Sequence, residues 1–126
     1  MFTLLEVKTD FCSEYIDESV MQEIKDFMGE EGESTIRELI AIYLANTPPM
    51  IARIKNDLLE NDLESLKAHI HSLKGSSASV GIVGISKTCK MIEELIKIGK
   101  IDEISKQFEQ IESIYAQVEM DLRERL

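Results

Sequence analysis

The chain has 126 residues, enough for one domain and too few for two, and 44% of them are hydrophobic, enough for one ordinary core. The 14 Lys and Arg stand against 24 Asp and Glu, a net charge of −10, which disfavours nucleic acid and anionic membrane surfaces and leaves room for protein partners. No run approaches the roughly 18 consecutive apolar residues of a membrane span, the start reaches an acid at Glu6 with no leader-like stretch, and Cys12 and Cys89 are too few for a disulfide framework.

A cytoplasmic protein is the default expectation. The ends, Met1 and the run from Asp121 to Leu126, read as those of a complete small protein.

The periodicity is helical almost throughout, and no stretch of alternating β-branched residues stands out. A first helix is expected from about Ile16 to Met28, with Ile16, Val20, Ile24 and Phe27 on one face and Gly29 as its stop. Ser34 can cap the next helix. That helix carries Ile36, Leu39, Ile40 and Tyr43 at i, i+3, i+4 and i+7. Asn46-Thr47-Pro48-Pro49 ends it. A third helix then starts with Thr47 as cap and Pro48 at its first position, where a missing amide costs nothing. Met50, Ile54 and Leu58 form its stripe.

Asn61, with Glu64 three residues on, resembles a capping box. The helix it opens runs to about Val80, with Gly81 as a left-handed end. Its stripe is Leu63, Leu66, Ile70, Leu73 and Val80, with Ser77 on the same face. A further helix spans about Ile85 to Ile98 and stops at Gly99, with Ile85, Cys89, Ile92 and Leu95 or Ile96 inward. The last carries Ile104, Phe108, Ile111, Tyr115, Val118 and Leu122, the spacing of a bundle seam. The expected fold is all-α: an antiparallel four-helix bundle with one or two short accessory helices at the N-terminal side. It fills residues 1–126 as one domain, with 1–15 irregular.

The run Ala68 to Gly81 carries the chemistry, and its heart is His71-x-x-Lys74-Gly75-Ser76. On a helical wheel His71 lies well off the apolar stripe, and its surface neighbours are Lys67, Lys74, Gly75 and Ala78. A neutral imidazole is a nucleophile that titrates near neutrality. Lysines beside it can offset the charge of a phosphoryl group and donate to its oxygens. Glycine inside a helix costs about 1 kcal/mol relative to alanine, so Gly75 asks for a reason. Room above His71 for a bulky group or a docking partner is one.

Other patterns are excluded or bland. His69 lies about 200° round the helix from His71, which argues against a shared metal site and for a partly buried structural residue. Gly75-x5-Gly81 is no phosphate-binding loop, because Ile82 follows where lysine is required. Cys89 reads as a core residue. Met21, Ile24 and Met28 share one side of the first helix and serve either packing or docking, methionine being adaptable at docking surfaces.

The sequence His71-Ser-Leu-Lys74-Gly75-Ser76-Ser77, followed by Gly81, Cys89 and Glu93-Glu-Leu95, resembles the histidine-containing phosphotransfer (HPt) domain of two-component phosphorelays. The looser likeness runs from about Ile16 to Val118. The resemblance implies a four-helix bundle whose exposed histidine accepts a phosphoryl group from a receiver-domain aspartyl phosphate and passes it to another receiver aspartate. It implies no kinase activity and no cofactor on this chain, with Mg²⁺ held by the receiver. His71 then matches the phosphorylated histidine, Lys74 the residue that steadies the phosphoryl oxygens and Gly75 the one that leaves space, while Ser76 matches a small residue near the site. Lys67 has a supporting place beside them.

The family often has a glutamine that bonds the other ring nitrogen, and Glu93 stands there. A carboxylate would hold the ring N–H and favour the opposite nitrogen as nucleophile, and would also repel an incoming phosphate. Apolar docking near the histidine, at Met21, Ile24, Met28 and Ala78, is a further implication. The implied partners are response-regulator receiver domains and a hybrid or chemotaxis-type histidine kinase, with the chain as a monomer. Two other readings share the bundle. One is the histidine-bearing N-terminal domain of a chemotaxis-type kinase, phosphorylated by an ATP-binding domain. The other is an adaptor that docks a receiver without chemistry.

Overall fold

The computed structural model describes residues 14–126. The irregular segment expected over 1–15 and Cys12 therefore lie outside the described residues, apart from Glu14 and Tyr15, which form a turn. The helices are α1 (Glu18–Met28), α2 (Gly32–Leu59), α3 (Leu63–Ser79), α4 (Val83–Ile98) and α5 (Ile101–Glu124), with a short 3₁₀ turn at Gly29–Glu31. Among the described residues no helix is long and apolar enough to cross a membrane.

Helix α1 is opened by Asp17, whose carboxylate accepts from the Ser19 amide at 3.0 Å and the Ser19 hydroxyl at 2.6 Å. Those bonds hold its carboxyl below the ordinary value. The inward face differs from the expected one. Met21 is buried, whereas Phe27 is 89% exposed. Gly32 fixes that face, because a Cβ there would stand 2.5 Å from the Lys25 carbonyl oxygen. This close approach sets α2 against Met21, Ile24 and Lys25 and turns Phe27 outward.

Helix α2 is one rod of 28 residues, not two helices parted at Asn46–Pro49. Two interior prolines remove the amides that would pair the Leu44 and Ala45 carbonyls, a local cost of about 3 kcal/mol or more each. Packing overrules it. Tyr43, Leu44, Thr47 and Ile54 are all buried, while both prolines face solvent. Thr47 caps nothing; its hydroxyl donates back to the Tyr43 carbonyl at 2.6 Å. Two other caps shift. Ser34 lies inside α2, donating to the Glu31 carbonyl at 3.0 Å, because the 3₁₀ turn runs straight into the helix. Asp62, not Asn61, caps α3 by accepting from the Ser65 amide at 3.1 Å. Asn61 takes the left-handed turn before it, φ 53°.

Four long helices close a ring: α2 packs on α3, α3 on α4, α4 on α5, and α5 returns to α2. The short connections make neighbours antiparallel. The stripes read from the sequence line the core, with Ile54, Leu66, Ile70, Ile85, Ile92, Ile104, Ile111 and Val118 sealed from solvent. Each long helix also gives at least one polar or polarisable residue to the interior. The Tyr43 and Ser77 hydroxyls are bonded at 2.8 Å, Tyr115 stacks obliquely on Tyr43 with ring centroids 6.5 Å apart, and Cys89 is fully buried. Burial pushes the Cys89 thiol up to about 12, so it is a packed thiol and not a nucleophile.

Helix α1 is tied to one end of the ring at two places. The Asp17 amide donates to the Gly81 carbonyl at 2.8 Å and the Gly84 amide to the Tyr15 carbonyl at 3.1 Å. Gly81, φ 82°, could bear no Cβ, which would fall 2.7 Å from the Asp17 oxygen. On the other side Arg125 makes a two-pronged contact with Glu18 and bonds Asp121 at 2.6 Å.

Candidate functional site

The α3–α4 hairpin builds the site. Helix α3 turns Leu66, Ile70, Leu73 and Ser77 to the core, which leaves His71 on the outer surface with its side chain 71% exposed. Helix α4 turns Ile85, Cys89, Ile92 and Leu95 inward. That rotation puts Glu93 at the seam facing α3, with only 18% of its side chain exposed.

The Glu93 carboxylate bridges two groups. Oε2 lies 3.2 Å from His71 Nδ1, and Oε1 lies 2.5 Å from Lys74 Nζ. Its carboxyl is held below the ordinary value, first by the Lys74 ammonium and further by His71, against the opposing effect of burial. An ionised carboxylate only accepts hydrogen bonds, so it assigns the Nδ1 proton to the neutral ring. The lone pair then sits on Nε2, which bonds no other described residue and belongs to a ring that is mostly in solvent.

Gly75 stands one turn beyond His71, and nothing lies within 4 Å of a Cβ built on it. Among the described residues, no backbone strain or contact requires glycine there. Ala78 and Lys67 are exposed on the same side of α3, and Lys67 makes no ion pair with another described residue.

Other expected members stand apart. Ser76 lies about 140° round α3 from His71, and its hydroxyl donates to the Leu73 carbonyl at 3.2 Å. The expected docking stripe of α1 is divided: Met21 is 3% exposed and belongs to the core, Ile24 is half-buried, and Met28 is 37% exposed. Met21 is therefore withdrawn from any docking surface, because its side chain fills the junction of α1 with the ring. His69 is half-buried as expected, and its partner is Asp57 of α2, Nδ1 to Oδ2 at 2.5 Å. That pair ties α2 to α3 away from His71.

A groove of about 500 Å³ between α2 and α3 went unseen in the sequence. Leu39, Ile42 and Met50 line one wall, and Ser72, Ser76 and Val80 the other. Its α2 wall spans the Pro48–Pro49 step, so splitting α2 there hid its continuity.

The fold and the site together define a class: a helical bundle presenting one solvent-facing histidine, held from behind by a half-buried carboxylate. The family model of the Hpt domain matches residues 38–121, and the chain belongs to that family. Among curated proteins, the phosphorelay intermediate protein YPD1 of Candida albicans is 32% identical over 78 residues, 62% of this chain and 42% of that one. The chain thus spans under half the length of that relative. Histidine-containing phosphotransfer protein 4 of Arabidopsis thaliana is 25% identical over 99 residues, 77% of each chain. The fold matches the crystal structure of histidine-containing phosphotransfer protein B from Pseudomonas aeruginosa PAO1, with TM-score 0.77, 24% identity and coverage of 88% of this chain and 94% of that one. A histidine-containing phosphotransfer protein from rice superposes with TM-score 0.79 at 18% identity, covering 94% and 84%.

Proposed function

We propose that the chain is a phosphoryl carrier of a two-component phosphorelay, accepting a phosphoryl group on His71 Nε2 from a receiver-domain aspartyl phosphate and passing it to another receiver aspartate. The observation that carries this reading is the 3.2 Å contact of Glu93 with Nδ1 of an exposed histidine.

In the forward step the Nε2 lone pair attacks phosphorus, the P–O bond to the aspartate breaks, and the carboxylate leaves. The Nδ1 proton stays where it is. The phosphorylated ring is then cationic, and Glu93 lies against its N–H. On the return step the leaving group is a neutral imidazole and not an imidazolate, which keeps the P–N bond easy to break. Lys74 is close enough to exchange Glu93 for phosphoryl oxygens, and Gly75 leaves the volume above the ring free. The chain serves as carrier and not as kinase, and it would hold no cofactor. The Mg²⁺ that neutralises the phosphoryl group would sit on the receiver. A cytoplasmic monomer that meets receiver domains and a histidine kinase in turn completes the reading.

The test is transfer from a phosphorylated receiver, in Mg²⁺, to this protein and to His71→Gln. Acid-labile label on the wild type alone is the expected result, since a phosphoramidate hydrolyses in acid. Equal labelling of both proteins would remove His71 from the reaction. Failure to label from several receivers would put the docking adaptor ahead. Label that needs an added ATP-binding kinase core would favour the chemotaxis-type domain.

A further inference from the structure

Charge in this chain is unevenly placed. Helices α3 and α4 carry five lysines against three glutamates, while α5 alone carries seven acidic residues against two basic ones. The register of the hairpin shows where four of those lysines stand. His71 and Glu93 are level, because their side chains touch across the antiparallel seam. Lys67 is four residues before His71 and Lys97 four after Glu93, so these two share a level. Lys74 is three after His71 and Lys90 three before Glu93, so they share another. On each helix the lysines lie about 40° and 60° round from the central residue and within about 6 Å of it along the axis. The four lysines thus stand on two levels that bracket His71 and Glu93 along the helix axes.

Lys67 and Lys90 are exposed, and neither forms an ion pair with a described residue. Lys97 meets Glu94 only at 3.9 Å, with both side chains more than 60% exposed, a pairing that solvent screens to little effect. Lys74 alone is closely paired, to Glu93. The other acids on this face are Glu64, one turn below Lys67, and Glu94, which lies between Lys90 and Lys97 on α4. A phosphoryl group needs one or two cations within hydrogen-bond reach. Four cations spread over two levels of two helices exceed that need and match a surface larger than one phosphate.

We propose that Lys67, Lys74, Lys90 and Lys97 form a steering collar for the acidic acceptor pocket of a receiver domain. The proposal rests on the phosphotransfer reading and adds to it how the partner is found. A pocket that holds Mg²⁺ and a phosphoacceptor aspartate is built from carboxylates. Against a chain of net charge −10, a receiver with such a pocket is repelled almost everywhere. The collar gives it one attractive approach, beside the reacting histidine. Such fields raise association rates by about 10- to 1000-fold and fade as salt shortens the Debye length.

The experiment measures phosphotransfer from a phosphorylated receiver by stopped flow for the wild type, for Lys90→Glu/Lys97→Glu and for Lys106→Glu on α5. Exposed charge changes of this kind leave stability within about 0.5 kcal/mol, which a thermal melt verifies. The expected result is a kcat/KM about tenfold or more lower for the double variant at roughly 20 mM salt, closing towards the wild type near 0.5 M. Saturating kcat and the spontaneous hydrolysis of the phosphohistidine should stay unchanged, and Lys106→Glu should match the wild type. Equal kcat/KM at low salt would overturn the collar while leaving the phosphotransfer reading intact. A loss that persists at high salt, with altered kcat or hydrolysis, would overturn it in favour of direct phosphoryl contacts. A wild type that takes no label from any receiver would sink the phosphotransfer reading itself and the collar with it.

Discussion

Lys74 is bound to Glu93 at 2.5 Å before any phosphoryl group arrives. The same carboxylate holds His71 Nδ1 with its other oxygen. In the proposed reaction, orienting the nucleophile and storing the cation would therefore be tasks of one side chain, and Lys74 would change partners during transfer. Glu93→Gln keeps an acceptor for the Nδ1 proton and frees Lys74, so transfer should survive. Glu93→Ala removes the support, and a misplaced ring should slow single-turnover transfer roughly tenfold to a hundredfold. Loss in Ala with rescue in Gln separates orientation from general damage; equal rates in all three proteins would dismiss the role.

Stability should carry the same signature against pH. The Glu93 carboxyl is held below its ordinary 4.5, chiefly by Lys74. A group lowered on folding stabilises fully above its unfolded value, and that stabilisation is lost as pH falls through the folded value. The melting-temperature difference between wild type and Glu93→Gln should therefore be constant above about pH 5 and shift against the wild type as pH falls below it. Parallel melting curves across that range would contradict the coupling.

Gly75→Ala should make the protein more stable and less active. Alanine gains about 1 kcal/mol over glycine in a helix interior, and the added Cβ meets nothing in the chain. Its only cost falls on whatever must approach His71. Gly75→Phe extends that obstacle and should nearly stop transfer. Denaturant midpoints and transfer rates measured on the same samples test both halves, and undiminished transfer by Gly75→Phe would refute the need for open space.

The two core tyrosines should respond oppositely to loss of the hydroxyl. Tyr43→Phe strands the sealed Ser77 hydroxyl, which is bonded to it at 2.8 Å, at a cost of about 1–3 kcal/mol. The Tyr115 hydroxyl is buried without a hydrogen-bond partner among the described residues, so Tyr115→Phe should be neutral or stabilising. Urea unfolding of both variants decides it, and a larger loss for Tyr115→Phe would reverse the assignment.

The sequence disclosed the parts that depend on one helix at a time. The stripes of α3, α4 and α5 repeat without interruption, so their buried faces follow from period alone. His71, Lys74 and Gly75 share one helical surface and could be placed together. What escaped depends on a neighbour. The Pro48–Pro49 pair predicts a break by local preference, yet buried residues on both sides hold α2 as one rod. Phe27 faces out because Gly32 lets α2 approach the Lys25 backbone, a contact that no wheel of α1 contains. Adjacent Asn61 and Asp62 both suit a cap, and the left-handed turn at Asn61 decides between them. The likeness to the family puts Ser76 near the site, although five residues turn a helix about 140° past His71. The likeness to the family pointed to Glu93, but its grip on Lys74 appears only when both helices are in place.

The order in which the molecule assembles follows from the contact between Glu18 and Arg125, which joins positions 107 residues apart. Most other helix pairings are between consecutive segments, the kind of local topology that forms quickly. The hairpin carrying His71 and Glu93 closes over a link of three residues, 80–82. Fastening α1 to the end of α5 requires nearly all of the described residues to be in place, so it should come late in folding and be undone early. Partial opening should therefore begin at the seam between α1 and α5 and leave the reactive histidine on intact scaffolding.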